Sequence, residues 1–187
     1  MKSDELAESW KKMLVGQDHA IDRVVPYVAR AMARLSPPNR PLGVFVMLGP
    51  TGTGKTRTAE TLAELLHGSE KNMLRIDCGE FQNEHEVAKL LGAPPGYLGH
   101  RETQPLNTAA KLTATTSDKS SISIVLFDEI EKAASALWRT LLGVLDKGVL
   151  RLGDNSVVNF ENTLIFMSSN VGAREISEML NLSLIHI

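Results

Sequence analysis

The segment Gly49-Pro50-Thr51-Gly52-Thr53-Gly54-Lys55-Thr56 constrains this chain more than any other. It fits the pattern GxxxxGK[ST] and lies between a short apolar run, 44–48, and an amphipathic stretch, 56–66. The glycines let successive backbone N–H groups curl around an anion, and the N-terminus of the helix that follows adds positive potential there. In that setting Lys55 is expected to reach the β and γ phosphates of a nucleoside triphosphate, and the Thr56 hydroxyl to ligate Mg²⁺. Gly49, Pro50, Thr51, Gly52, Thr53 and Gly54 make up the same nucleotide-binding cradle, in which Thr51 and Thr53 are read as placed by loop geometry, without a catalytic role. A glycine-rich helix cap is the bland reading of these residues, and the strand before and helix after argue against it.

A phosphate loop of this kind needs a sheet around it, and the remaining pattern supplies one. Helices are expected over 5–13 and 18–35, where Ile21, Val24, Val25, Val28 and Ala31 recur three or four apart, and the prolines of 36–40 end the second. The continuous apolar run 44–48 reads as a strand covered on both faces, and 73–76, 122–127 and 164–167 read as further strands. Between them lie helical stretches at 56–66, 86–91, 106–112 and 135–145, a Pro/Gly-interrupted loop at 93–99 and an exposed polar loop at 113–121. Strands alternating with helices predict a three-layer α/β sandwich with a mostly parallel sheet.

Composition narrows the partners. A length of 187 residues suits one domain, and 43% apolar with 22% charged residues predicts a packed core rather than disorder. The net charge of -2 gives no bulk field for nucleic acid or a membrane surface. Cys78 is the single cysteine, so neither an internal disulfide nor a CxxC site is available. The polar start and the lack of an 18-residue apolar run predict no membrane span, and a location in the cytoplasm.

The strand 122–127 leads directly into Asp128 and Glu129. Two carboxylates at the end of an apolar strand are unfavourable to bury unless something compensates them, and a hydrated metal does so. Asp128 is therefore the candidate for holding Mg²⁺, and Glu129 the candidate base for the attacking water. Glu131 and Lys132 are read as a surface pair that orients the next helix. Ser168-Ser169-Asn170 also follows an apolar strand, which places it at the carboxyl edge of a parallel sheet. Asn170 either orients the lytic water and senses the γ phosphate, or caps the next helix.

Together these residues resemble the AAA+ ATPase superfamily and, more narrowly, the second ATPase module of Clp-type protein unfoldases and disaggregases. The likeness covers about 14–173 and includes LGAPPGYLG from Leu91, LFDEIEKA from Leu126 and NTLIFMSSN from Asn162. It implies a P-loop NTPase fold of AAA+ type that hydrolyses ATP with Mg²⁺, with Val15 and Gly16 near the adenine. It also implies a homo-oligomeric, hexameric ring acting on unfolded or aggregated polypeptide, with a protease or adaptor partner left open. Gly96, Tyr97, Leu98 and Gly99 would be the pore loop, with Tyr97 gripping the substrate chain; a tyrosine buried in a turn is the alternative. A nucleic-acid-linked AAA+ enzyme and a slow-turnover scaffold or secretion-system component remain competing readings.

The chain departs from the family after the pore loop, where His100 to Asn107 replace an acidic, glycine-rich stretch, and at Val149 and Ser156, where the family carries arginines. The family's arginine finger, fifth strand and helical lid would follow the last residue, so the α/β module is expected to be incomplete at its C-terminus. The expected organisation is a helical lead-in over 1–40, the large ATP-binding subdomain over 41–180 and a non-native tail over 181–187.

Overall fold

The computed structural model describes residues 3–50, 52–92 and 109–171. Helices α1 (Ser3–Met13) and α2 (Asp18–Met32) precede β1 (Gly43–Leu48), which enters the glycine-rich loop and α3 (Lys55–His67). β2 (Leu74–Asp77), α4 (Glu84–Leu91), α5 (Ala109–Ala114) and β3 (Ser123–Asp128) follow. α6 (Ser135–Lys147), the short strands β4 (Val149–Arg151) and β5 (Val157–Asn159), and β6 (Thr163–Ser169) complete the described chain.

β1, β6, β3 and β2 pair in that order as a parallel four-stranded sheet. Alternate residues of each strand face opposite layers. Phe45, Ile124, Leu126, Leu164 and Phe166 pack toward α1, α2 and α3, while Val46, Ile76, Val125, Phe127, Ile165 and Met167 pack toward α4 and α6. Both faces are thus covered, which is why β3 and β6 read as unbroken apolar runs and are buried along their whole length. The expected three-layer α/β sandwich with a parallel sheet is the observed fold. α1 is fastened to it by Trp10, fully buried, whose indole N–H donates to Thr61 Oγ1 of α3 at 2.8 Å.

Several boundaries differ from the sequence pattern for local reasons. α2 stops at Met32, short of the expected residue 35, because Arg34 takes φ +56, outside any right-handed helix. α4 begins two residues before the expected 86, since Asn83 and Glu86 form a capping box in which the Asn83 N–H donates to Glu86 Oε2 at 3.0 Å. α5 extends to Ala114, and Thr115, expected on an exposed loop, is buried with its hydroxyl bonded to Leu112 O at 2.7 Å.

The antiparallel hairpin β4–β5 has no counterpart in the expected elements. Each strand has three residues and buries one, Leu150 or Val158, while Val149 and Val157 face solvent, so no apolar run marks it. Gly148 links α6 to this hairpin at φ +65, with its Cα so close to the backbone of Asn39 and Arg40 that a Cβ would lie 3.0 Å from Arg40 N. No described helix is long and apolar enough to cross a membrane.

Candidate functional site

The site grows out of the carboxyl ends of three neighbouring strands. β1 ends at Leu48, and the Gly49 N–H still donates to Ser169 O of β6, so the loop leaves the sheet beside Asn170. Gly52 and Gly54 then take φ +83 and +86, a region where a Cβ is disfavoured, and Gly54 caps α3. These turns fold the Lys55 ammonium back over the loop, where it donates to Gly49 O at 2.6 Å, Pro50 O at 2.7 Å and Asn170 Oδ1 at 3.1 Å. The Thr53 hydroxyl donates to Pro50 O at 2.9 Å, which is the loop-shaping contact expected of it. Thr51 lies outside the described residues.

β3 sits between β6 and β2 and carries the acidic pair into the same place. Asp128 is 8% exposed, and three side chains surround its carboxylate. Arg75 of β2 donates to Oδ2 at 2.5 Å, the Ser168 hydroxyl of β6 donates to Oδ1, and Thr56 Oγ1 lies 3.5 Å from both oxygens. Glu129 follows in the left-handed region, φ +55, with its N–H donating to Ser168 Oγ at 3.0 Å. A residue with a side chain is found there at the expense of backbone strain, which is why the hydrogen bond that fixes it matters.

Asn170 joins the two halves. Its Oδ1 accepts from Lys55, its Nδ2 donates to Glu129 Oε1 at 3.2 Å, and its backbone N–H donates to Glu131 Oε1 at 3.1 Å. Glu131 and Lys132 do not act as the surface pair expected of them, since Glu131 accepts from the Asn170 N–H and Lys132 turns to Glu129. The Lys132 ammonium is bonded to Glu129 Oε2 at 2.6 Å, and this hydrogen bond raises its pKa above the ordinary lysine value. Both oxygens of Glu129 therefore have partners. Cys78, just beyond β2, is buried, and burial pushes its thiol far above the usual range, so it is no nucleophile.

Two cavities flank the loop. One, of about 350 Å³, is lined by Gly16, Gln17, His19, Pro50, Lys55 and the end of β1, and is the less polar of the two. Gln17 is tied to the loop by its amide, which donates to Thr53 O at 2.5 Å. Gly16 lines this cavity, whereas Val15 is 88% exposed and is absent from its wall. The other, of about 550 Å³, is lined by Gly52, Gly54, Lys55, Thr56, Arg75, Asp128, Glu129, Ser168 and Asn170. Lys55, Thr56, Asp128, Glu129 and Asn170, distant in sequence, thus share one wall. Gly96, Tyr97, Leu98 and Gly99 lie outside the described residues.

Four side chains of this site were assigned no role by sequence reasoning. Gln17 and His19 lie just after Val15 and Gly16, which the resemblance placed near the adenine, so their proximity was a signal within reach. Arg75 carried none, and Ser168, expected at the carboxyl edge with Asn170, carried no sign of its partner, because both contacts with Asp128 depend on β2 and β6 lying on either side of β3.

Among the described residues no group of three or more His, Cys, Asp or Glu side chains could hold a metal ion. Mg²⁺ does not need one, since it is commonly held by one or two protein oxygens together with substrate phosphates and water. The Thr56 hydroxyl and the buried, ionisable Asp128 beside a phosphate loop fit that donor set.

Comparison with known proteins agrees with this geometry. A sequence family described as AAA domain (Cdc48 subfamily) matches residues 40–184. Chaperone protein ClpB of Mycoplasma genitalium is 45% identical over 173 residues, covering 92% of this chain and 23% of that protein. ClpB of Meiothermus ruber is 47% identical over the same length, with 92% and 19% covered. The chain therefore spans about a fifth of the length of these curated relatives. Among solved structures, a closed-state reconstruction of Hsp104 with ATPγS and FITC-casein superposes with a TM-score of 0.80 at 32% identity, covering 95% of this chain and 29% of that one.

Proposed function

Because the chain belongs to the AAA+ ATPases, through the AAA domain of the Cdc48 subfamily, we propose that it binds ATP with Mg²⁺ and hydrolyses it, as the engine of a Clp-type protein-remodelling ring. The observation that carries this reading is the shared wall on which the Lys55 ammonium, the Thr56 hydroxyl, Asp128, Glu129 and Asn170 meet around one cavity.

The residues divide the work by their chemistry. The loop amides and the Lys55 ammonium neutralise phosphate oxygens, and Lys55 exchanges its present carbonyl partners for them. Thr56 and Asp128 would hold Mg²⁺, which when bound draws charge from the phosphates. Glu129 accepts a proton from the attacking water once one of its oxygens leaves Lys132 or Asn170. Asn170, bonded to both Lys55 and Glu129, sets the distance between phosphate binding and water activation. The less polar cavity beside Gly16, Gln17 and His19 suits the base and ribose.

The relatives named ClpB and the casein-bearing Hsp104 structure support a polypeptide as the substrate of the ring. In this reading Tyr97 is the gripping side chain and the setting is cytoplasmic. One variant tests the chemistry and the assembly together. Glu129→Gln keeps the shape of the side chain but neither its charge nor its basicity, and its single amide oxygen can accept only one of the two bonds that Glu129 accepts from Lys132 and Asn170, so ATP binding persists while turnover falls by about 10²-fold or more. Held in the ATP state, the variant assembles into rings that retain an unfolded polypeptide in sedimentation assays. Turnover equal to wild type removes Glu129 from the base role, and retention of single-stranded DNA in place of polypeptide refutes the remodelling reading.

A further inference from the structure

We propose that Ser168 is a positioning residue shared by the two carboxylates of the site, its hydroxyl fixing the Asp128 side chain and the Glu129 backbone at once. This rests on the reading of Asp128 as cation holder and Glu129 as base.

The placement follows from strand register. β3 and β6 run parallel with Phe127 opposite Met167, so the next residue of β6, Ser168, comes alongside Asp128 where the ladder ends. Ser168 is 1% exposed. A hydroxyl has one proton and two lone pairs, and here both capacities are used within the site. The proton goes to Asp128 Oδ1, and a lone pair accepts the Glu129 N–H at 3.0 Å.

Each bond opposes a specific drift. Arg75 pulls on the other carboxylate oxygen of Asp128 from β2 at 2.5 Å. Ser168, pulling from β6, keeps the carboxylate between these strands, with both oxygens 3.5 Å from Thr56 Oγ1. Without it, the guanidinium is the dominant partner and the carboxylate turns toward β2. The Glu129 N–H stands just past the sheet on a residue with φ +55. Loss of its acceptor leaves a strained peptide without the bond that holds it. An ordinary core serine answers a backbone carbonyl, as Ser123 does with Leu112 O at 3.1 Å. Ser168 answers the functional pair instead.

The test compares ATP affinity in EDTA with affinity in Mg²⁺ for wild type, Ser168→Ala, Ser168→Cys and Ser168→Thr, each checked for a cooperative melt. Cysteine nearly keeps the volume but is a weak donor and acceptor, and threonine keeps the hydroxyl. Ser168→Ala and Ser168→Cys should bind ATP in EDTA as wild type does, through the phosphate loop. Both should lose about 10- to 100-fold of the Mg²⁺-dependent gain, the usual effect of removing a residue that orients a metal ligand. Ser168→Thr should restore the gain. A gain retained in the folded alanine and cysteine variants, or lost equally in folded threonine, overturns the positioning role alone. A wild-type protein that binds ATP equally with and without Mg²⁺ overturns the cation assignment of Asp128, and the proposal with it.

Discussion

At the amino ends of β3 and β6, Ser123 and Thr163 are buried, and beside them His67 and Thr115. At the carboxyl ends Asp128, Ser168 and Ser169 are buried to the same degree. The partners differ. Ser123 Oγ and Thr115 Oγ1 both donate to Leu112 O, and His67 Nδ1 meets Ser117 Oγ at 3.0 Å, so these groups serve neighbouring backbone and a loop. Asp128 and Ser168 bond each other, Arg75 and the Glu129 N–H, and lie a short step from Lys55, Thr56 and Asn170. Buried polarity alone does not mark a functional edge. Charged groups that answer one another across three strands do.

The largest effect that sharpens this contrast is expected from Lys55→Met. The variant keeps the aliphatic length and loses the ammonium, so a charge-assisted bond to phosphate worth about 1.5–3 kcal/mol disappears and ATP binding weakens roughly 10- to 100-fold. The thermal midpoint should move little, because the lost contacts, to Gly49 O, Pro50 O and the exposed Asn170, lie on the loop and not in the core. Calorimetric titration with ATP checks the first statement and a melt the second. An unchanged affinity would remove the phosphate role of the loop, and with it the distinction between the two edges.

The glycines of 49–54, the lysine that follows and the Asp128–Glu129 step were legible because each is a local pattern: a turn that needs φ > 0, an anion cradle, an apolar strand ending in acids. The parallel sheet was legible for a similar reason, as β3 and β6 are buried on both faces. The hairpin at Val149–Arg151 and Val157–Asn159 was not, since three-residue strands with one buried side chain leave no period to detect. Nor was the Lys132–Glu129 pair, at 2.6 Å, because the local sequence does not show that Glu129 takes the left-handed conformation that turns the chain before Lys132. Strand order governs the rest: Ser168 and Arg75 reach Asp128 only because β3 lies in the middle.

A middle-sized effect is expected at the opposite edge. Ser123→Ala leaves the Leu112 carbonyl with one donor fewer in a buried place, which destabilises by about 1 kcal/mol, or roughly 2–4 °C in the melting midpoint for a chain of this size. ATP affinity and its Mg²⁺ dependence should stay at wild-type values, in contrast to Ser168→Ala. A fall in nucleotide affinity comparable to that of Lys55→Met would show that the two ends are energetically one unit.

The smallest effect belongs to His67, at the end of α3. Burial holds its pKa below the ordinary imidazole value, and a backbone bond involving Ile122 offsets this only in part. The folded state therefore prefers the neutral ring, while the unfolded chain protonates near pH 6.5. Between the folded pKa and 6.5 the unfolded state binds more protons, so stability rises with pH; read downward, stability is intact above 6.5 and is lost as pH falls through the folded pKa. The slope from one group is at most about 1.4 kcal/mol per pH unit. Urea midpoints of wild type and His67→Gln at pH 7.5 and 5.5 isolate it, because the other titrating groups cancel in the difference. Wild type should lose more stability than the variant on acidification. Equal losses would mean that the unbonded Nε2 finds an acceptor when protonated, and that the amino edge accommodates a charge as readily as the nucleotide edge.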